Sequence, residues 1–455
     1  MATEKLQADY LVIGGGAMGV AFVDELLARD ASAQVIMVDK HARAGGHWND
    51  AYAYVTLHQP AAFYGVNSEK LGPGGPALVS GTEVLAYYER VMEKLQATGR
   101  LRFFPLSLSD GENRFRSLVE AGREYEVEVR RKIVDATYMH VEVPSIRPPL
   151  YGVGDGVSVV PPNALHGLDE PFPSYVVVGA GKTGIDAVLF LLGQGVDPNL
   201  IEWIMPNDAW LLDRDQLVPG KLARTSLGPL EALAETDELD EWFRKSERLG
   251  GLFRLDPEVW PRKYRCATVN GKELEELRRV KKVIRMGRVV RIEADAIVLE
   301  EGTLPSNSKK LYVDCTADGL ARRDPRPVFN GSRITLQSLV MCQQVFSASV
   351  VGFVESRYDD EAKKNELCRA VPHPNVPRDY LLAFLVTNVN ILNWTRAFPR
   401  WLLGSRLSML YHDSLWAFLK GTVKGQRLMK QAGPNMERLL EKEFPGLHGL
   451  SPAEE

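Results

Sequence analysis

Twice along this chain an apolar run stops abruptly at glycines. Asp9-Tyr10-Leu11-Val12-Ile13 runs into Gly14-Gly15-Gly16-Ala17-Met18-Gly19, and Tyr175-Val176-Val177-Val178 runs into Gly179-Ala180-Gly181-Lys182-Thr183-Gly184. Unbroken β-branched runs predict strands buried on both faces, and the residues after each glycine cluster take up a helical period. Strand, glycine turn and helix are therefore expected in that order at both places. Further strands are predicted at Gln34–Val38 and Leu200–Met205, and strand-rich passages at Arg114–Val119 and Tyr125–Val129. A helix is predicted from Val84 to Leu95, with Thr82 as its N-cap and Gly99 as its stop. The proline-rich passage from Pro144 to Pro173 reads as an extended connection. Val289–Ile292 and Ala296–Leu299 predict a strand meander that returns the chain to its first unit at Val313, and the residues beyond about 350 read as mainly helical.

The spacing G-x-G-x-x-G between a strand and a helix has a specific chemical use. Its first glycine permits a tight turn, its second lets backbone approach a pyrophosphate, and its third lets helix and strand touch. The pyrophosphate then rests on N–H groups at the positive end of the helix. Gly14, Gly16 and Gly19 fill these positions in the first motif, and Gly179, Gly181 and Gly184 in the second. Asp39 closes the strand after the first motif, about twenty residues on, where a carboxylate can hold ribose hydroxyls. Two such sites in one chain point to electron transfer between two dinucleotides.

The stretch Asp39-Lys40-His41-Ala42-Arg43-Ala44-Gly45-Gly46-His47-Trp48 resembles the D/E-K/R-x4-G-G-x-W segment of flavin-containing monooxygenases and their Baeyer–Villiger relatives. The resemblance implies FAD at the first motif, with Lys40, Gly45, Gly46 and Trp48 beside it. Val55-Thr56-Leu57-His58-Gln59-Pro60-Ala61-Ala62-Phe63-Tyr64-Gly65-Val66-Asn67-Ser68 is similar to the loop that passes the flavin ring in that family. It implies Asn67 as an active-site amide, and places His58 where Baeyer–Villiger relatives carry a functional aspartate. A histidine there could exchange a proton near neutral pH; a turn role for Asn67 and a structural one for His58 stay open. Ile133–Tyr138 and Tyr312–Gly319 resemble the two A-T-G elements that bracket the nicotinamide domain, with Tyr138 in place of a glycine and Asp318 inserted before Gly319. Near-matching blocks extend to about residue 320, but the family's F-x-G-x-x-x-H does not precede His166, which marks a divergent member.

The second motif resembles the family's NADPH turn, which adds Thr183 to the contacts. Relatives place an arginine after the next strand to clamp a 2′-phosphate. Here Met205-Pro206-Asn207 stand there, so Lys182 and Arg214 are the substitutes considered, with NADPH favoured over NADH. Composition fits an enzyme of this size, with 45% hydrophobic and 25% charged residues and a net charge of −4, so no general affinity for nucleic acid or for anionic membrane is expected. The four cysteines, Cys266, Cys315, Cys342 and Cys368, form no C-x-x-C pair and no metal-ligand spacing, so reduced thiols and no metal are expected. With a strand starting by residue 9, no signal peptide is expected, and the location expected is cytoplasmic. The apolar stretch Leu381–Trp394 is too short and too polar to span a bilayer; self-association and peripheral membrane contact stay open.

The expected fold is α/β, with two Rossmann-like dinucleotide-binding domains, one nested in the other, and a helical C-terminal region. Residues 1–165 and 301–350 would form the FAD domain, 166–300 the NAD(P) domain, and 351–455 the helical region. The resemblance implies an FAD-dependent, NADPH-reduced monooxygenase that passes one oxygen atom from O2 through a peroxyflavin to a small organic substrate. Trp394, Trp401 and Trp416 could supply an apolar cover suited to a hydrophobic substrate, though core packing explains them equally well. A flavin oxidase or dehydrogenase without oxygen transfer and a non-catalytic redox sensor are the alternatives.

Overall fold

The computed structural model of the protein describes residues 3–74, 77–218, 221, 227–317, 322–408 and 415–446; Asp318 and Gly319 lie outside the described residues. The chain opens with β1 (Glu4–Ile13), α1 (Ala17–Arg29), β2 (Val35–Val38), α2 (Gly81–Ala97) and β3 (Leu101–Phe104). A meander of β4 (Ser107–Ser109), β5 (Arg114–Ser117) and β6 (Glu124–Asp135) follows. Next come β7 (Gly152–Val153), β8 (Ser158–Val160), β9 (Ser174–Val178), α3 (Lys182–Gly193), β10 (Ile201–Ile204) and β11 (Ala209–Asp213). They are followed by β12 (Leu252–Phe253), β13 (Lys263–Val269), β14 (Lys282–Ile284), β15 (Val289–Ile292), β16 (Ala296–Leu299), β17 (Gly302–Pro305) and β18 (Lys310–Asp314). The last described strands are β19 (Phe329–Asn330) and β20 (Arg333–Thr335).

The first sheet runs β19-β20-β6-β1-β2-β3, parallel from β20 to β3. Its central strands bury both faces, as their unbroken apolar sequence requires. Tyr10 and Val12 pack toward α1 and the helix Gln344–Arg357, while Leu11 and Ile13 pack toward Phe115 and Tyr125 of the meander. The two helices on this face meet at Gly352, where a Cβ would stand 2.8 Å from the Phe22 carbonyl, so only glycine fits.

The second sheet, β14-β10-β9-β18-β8, is parallel throughout. The meander stands where the sequence places it, as β15 and β16. The strand at Val313, however, does not rejoin the first unit: β18 pairs with β9 and β8, with Val313 opposite Val177 and Val160. Its alternating side chains fill the interior on both faces of the second sheet, and the first sheet is rejoined only at β19 and β20. The start of α2 also differs from expectation. Ser80, not Thr82, is its N-cap, paired in a capping box with Glu83 three residues on.

Beyond the sheets the chain is largely helical, through Gln344–Arg357, Glu361–Leu367, Pro377–Ala397, Pro399–Gly404 and Leu415–Glu443. Trp394 and Trp401 are core residues while Trp416 is 67% exposed, so the three tryptophans share no common cover. Among the described residues no helix is long and apolar enough to cross a membrane.

Candidate functional site

Each glycine motif sits at the carboxyl end of a central strand. Gly14 has φ +105° and Gly179 φ +125°, conformations that side chains rarely adopt. Both glycines are wedged against the segment leaving a neighbouring strand. A Cβ on Gly14 would stand 2.9 Å from Thr137 Cγ2, and one on Gly179 would stand 2.5 Å from the Cys315 carbonyl oxygen. The third glycines, Gly19 and Gly184, leave no room for a Cβ against the carbonyls of Gly14 and Gly179. The neighbouring segments repeat as well. Asp135 Oδ1 accepts from the Thr137 backbone N–H and hydroxyl at 2.8 and 2.7 Å, and Asp314 Oδ1 accepts from the same groups of Thr316 at 3.1 and 2.6 Å. The shared D-x-T was visible in the sequence as Asp135-Ala136-Thr137 and Asp314-Cys315-Thr316.

Water reaches each motif where its helix begins. Gly16 and Ala17 are partly exposed between buried Gly15 and Met18, and Ala180 to Thr183 are partly exposed between buried Gly179 and Gly184. Nothing lies within 4 Å of a Cβ built on Gly181, whereas one built on Gly16 would meet Gly46 Cα at 3.6 Å. Gly45 and Gly46 fold back onto the first turn, with φ +129° and +57°, and the Gly45 N–H donates to the Gly15 carbonyl at 2.9 Å.

Asp39 ends β2 as expected, but its carboxylate serves its own loop. Oδ2 accepts the Gly15 N–H at 2.6 Å, and Oδ1 accepts the His41 backbone N–H and meets His41 Nδ1, both at 2.8 Å. His41 Nε2 stands 3.0 Å from Asp50 Oδ2, so both ring nitrogens face carboxylates. Asp39 foremost, then Asp50, raise the pKa of His41 against the opposing effect of burial. Lys40 is exposed. Trp48 is buried, its indole N–H donating to the Tyr64 hydroxyl at 2.7 Å.

The second motif borders a cavity of about 230 Å³, lined by Tyr54, Thr56, Lys182, Asp186, Arg214 and Glu273 among others. Lys182 and Arg214, expected to clamp a phosphate, do come together here. Each is already ion-paired, Lys182 with Asp186 and Arg214 with Glu273. Asp186 also accepts from the Tyr52 hydroxyl at 2.6 Å, a tie from the first unit to the second. The Tyr54 hydroxyl is buried without a hydrogen-bond partner among the described residues, and its ring stacks on Phe190 with centroids 4.1 Å apart.

The loop from Tyr52 to Ser68 lies between these features. Thr268 of β13 donates its hydroxyl to the His58 carbonyl, and Gln343 donates to Gln59 at 3.0 Å. His58 is exposed as a residue, but its imidazole is crowded by protein, and that burial, followed by the charges of Lys182 and Arg214, pushes its pKa down. His58 is therefore neutral at pH 7. It can accept a proton there but is not the acid that an unperturbed histidine could be.

Asn67 is held by three hydrogen bonds. Its amide donates to Glu25 at 2.7 Å, and its carbonyl oxygen accepts from the Ser405 hydroxyl at 2.9 Å and the Leu407 N–H at 3.3 Å. Arg406, which the sequence reading missed, holds the same loop. Its guanidinium donates to the carbonyls of Ala62, Tyr64 and Val66 at 2.9, 2.5 and 2.8 Å. An arginine some 340 residues from its partners carries no local signal.

The cysteines are not all reduced thiols. Cys266 of β13 and Cys342 form a disulfide across a separation of 76 residues, while Cys315 and Cys368 are free and buried. The pair joins the two segments that hold His58 and Gln59, a proximity made by the fold and invisible to spacing rules.

The fold resembles that of solved ketone monooxygenases. Cyclohexanone-bound cyclohexanone monooxygenase in its rotated conformation matches with a TM-score of 0.51 at 13% identity, covering 87% of this chain and 99% of that one. The open form of cyclohexanone monooxygenase gives 0.51 at 14% identity over 86% and 98%. Polycyclic ketone monooxygenase from the thermophilic fungus Thermothelomyces thermophila gives 0.50 at 11% identity over 96% and 89%. No family model matches the chain. By sequence it is 46% identical over 425 residues to Uncharacterized protein Rv2000 of Mycobacterium tuberculosis and to Uncharacterized protein Mb2023 of Mycobacterium bovis, covering 90% of this chain and 78% of each relative. The chain belongs to the family of these mycobacterial proteins.

Proposed function

We propose that the protein is an FAD-dependent, NAD(P)H-reduced monooxygenase acting on a small organic substrate. The observation that carries this reading is the pair of parallel sheets, each presenting a glycine turn and a water-accessible helix N-terminus. Those turns fit the two dinucleotides by the chemistry of their donors: backbone N–H groups at the positive end of a helix, with no side chain in the way. In this reading Gly14, Gly16 and Gly19 hold the FAD pyrophosphate, with Gly45 and Gly46 beside it, and Gly179, Gly181, Thr183 and Gly184 hold the coenzyme. The orphaned Tyr54 hydroxyl supplies a polar contact next to the second turn. The first sheet, β1 to β6 with β19 and β20, would serve FAD, and the second sheet, with β8 and β18 in it, the coenzyme.

Bound flavin supplies hydride acceptance and the reaction with oxygen; the chain's own groups bind, orient and exclude water. Asp39 holds the first turn in shape through Gly15 and His41. Neutral His58 would act, if at all, as an acceptor of a proton. Asn67 and Arg406 fix the loop that carries His58. A 2′-phosphate would reach Lys182 or Arg214 only by displacing Asp186 or Glu273, an obstacle that NADH does not meet.

The engagement of Asn67 with Glu25 and Ser405 favours, as a second reading, a flavin oxidase or dehydrogenase that transfers no oxygen. One experiment separates the two. The purified protein's flavin spectrum is followed through anaerobic reduction by NADPH or NADH, then through mixing with oxygen while hydrogen peroxide is measured. Bleaching, followed by peroxide release that lags behind oxygen consumption, supports the monooxygenase. Immediate stoichiometric peroxide supports the oxidase. A protein that neither retains nor rebinds flavin overturns both.

A further inference from the structure

The helix Leu415–Glu443 has two apolar sides. One is accounted for: Leu428, Met429, Ala432, Met436 and Leu439 are buried in a core shared with Leu230, Leu233 and Trp242. The other is not. Trp416 and Val423 are each 67% exposed and Leu419 is 44% exposed. At helical spacing these three line up on one face, about half a turn from the buried side. Lys420, Arg427 and Lys430 are exposed on that same face. The Lys420 ammonium lies 5.4 Å from the Trp416 ring centre. Lys424, at the margin, pairs with Glu231 at 2.6 Å. From Trp416 to Met436 the sequence contains no Asp or Glu, although the chain as a whole carries a net charge of −4.

We propose that this face docks on a membrane surface rich in anionic phospholipid. The residue types match what such a surface offers at each depth. An indole sits well at the level of the headgroups, leucine and valine reach the acyl boundary, and lysine and arginine extend long stems that keep their charges at the lipid phosphates. A protein partner of ordinary interface chemistry would call for fewer lysines in the centre of the patch. The helix lies on the surface and does not span it. Positive charge concentrated on one side of an acidic protein also orients the approach, presenting this face first. The inference is independent of the flavin reading, because none of these residues touches either glycine motif.

The test is co-sedimentation of the intact protein with vesicles of phosphatidylcholine alone, or containing about 30 mol % phosphatidylglycerol. Binding is expected to the anionic vesicles only, and to fall away at about 0.5 M salt. Lys420→Glu with Arg427→Glu should lower the partition coefficient at least tenfold, taking about 1 kcal/mol for each cation near the surface. Trp416→Ser with Val423→Ser should lower it without removing the salt dependence. All four positions are exposed, and matching circular dichroism and melting curves confirm that each variant folds. Three results would overturn the proposal: no binding to anionic vesicles, binding that both double variants leave unchanged, or a wild-type dimer that Trp416→Ser with Val423→Ser turns into monomers.

Discussion

Replacing Arg406 by methionine isolates the part of the site that the sequence hid. The substitution keeps most of the buried alkyl volume and removes the guanidinium, leaving the carbonyls of Ala62, Tyr64 and Val66 without their donors. Val66 is fully buried and Tyr64 nearly so, which limits replacement by water. At roughly 1 kcal/mol or more for each unpaired buried carbonyl, the loss is about 3 kcal/mol. Burial lowers the pKa of Arg406, showing that the charge itself is held at a cost, so the relief of that cost caps the loss near this figure. Arg406→Lys can reach only part of the set with a single ammonium, and should recover about half. Guanidinium unfolding followed by tryptophan fluorescence gives the difference, and limited proteolysis reports whether residues 61–68 become accessible. A methionine variant within about 0.5 kcal/mol of the parent would refute the reasoning, because it would mean that the loop does not depend on this donor.

Three further outcomes are expected. Gly181→Ala should leave the melting temperature within a few degrees, since a Cβ there meets nothing within 4 Å and φ is −83°, while weakening NAD(P)H binding measured by nicotinamide fluorescence. Unchanged binding would remove Gly181 from the coenzyme site. Glu273→Gln releases Arg214 from its ion pair and should improve the KM for NADPH over NADH by roughly five- to tenfold; an unaltered ratio would exclude Arg214 as a phosphate ligand. His41 has a folded pKa raised above its unfolded value of about 6.5, so its contribution is fully present below that value and is lost as pH rises through the folded pKa. His41→Gln should accordingly destabilise the protein most in mild acid and least in alkali, and a stability difference independent of pH would contradict the ion pairs with Asp39 and Asp50.

What the sequence disclosed is local. The glycine turns, the strands before them and the meander at Val289–Leu299 depend on residues within one or two turns of each other, where backbone geometry dictates residue type. What it withheld is long-range. Lys182 and Arg214 were legible as cations near a glycine turn, but their neutralisation by Asp186 and Glu273 depends on helix spacing in one case and on distant packing in the other. Asn67 was read from a short motif, and its partners on α1 and near residue 405 come from 42 and about 340 residues away, where no local pattern announces them. The strand at Val313 was misplaced because both sheets use the same apolar alphabet, so pattern alone cannot say which sheet a parallel strand joins.

The tether made by Glu25 bears on how this chain folds as it is synthesised. Its carboxylate accepts from Asn67 at 2.7 Å and from the Trp401 indole at 2.7 Å, the latter across a separation of 376 residues. An acid that is only 1% exposed has Arg29 beside it on α1 from the start, but it lacks the Trp401 donor until some 376 further residues have been made. Contacts of such sequence separation form late and slowly. The first sheet can assemble early, but its loop can be sealed only when the helix bearing Trp401 and the arginine after it arrive. Completion of the site thus waits for the segment from Trp401 to Arg406, and a chain terminated before it would carry an intact first glycine turn beside an unfinished loop.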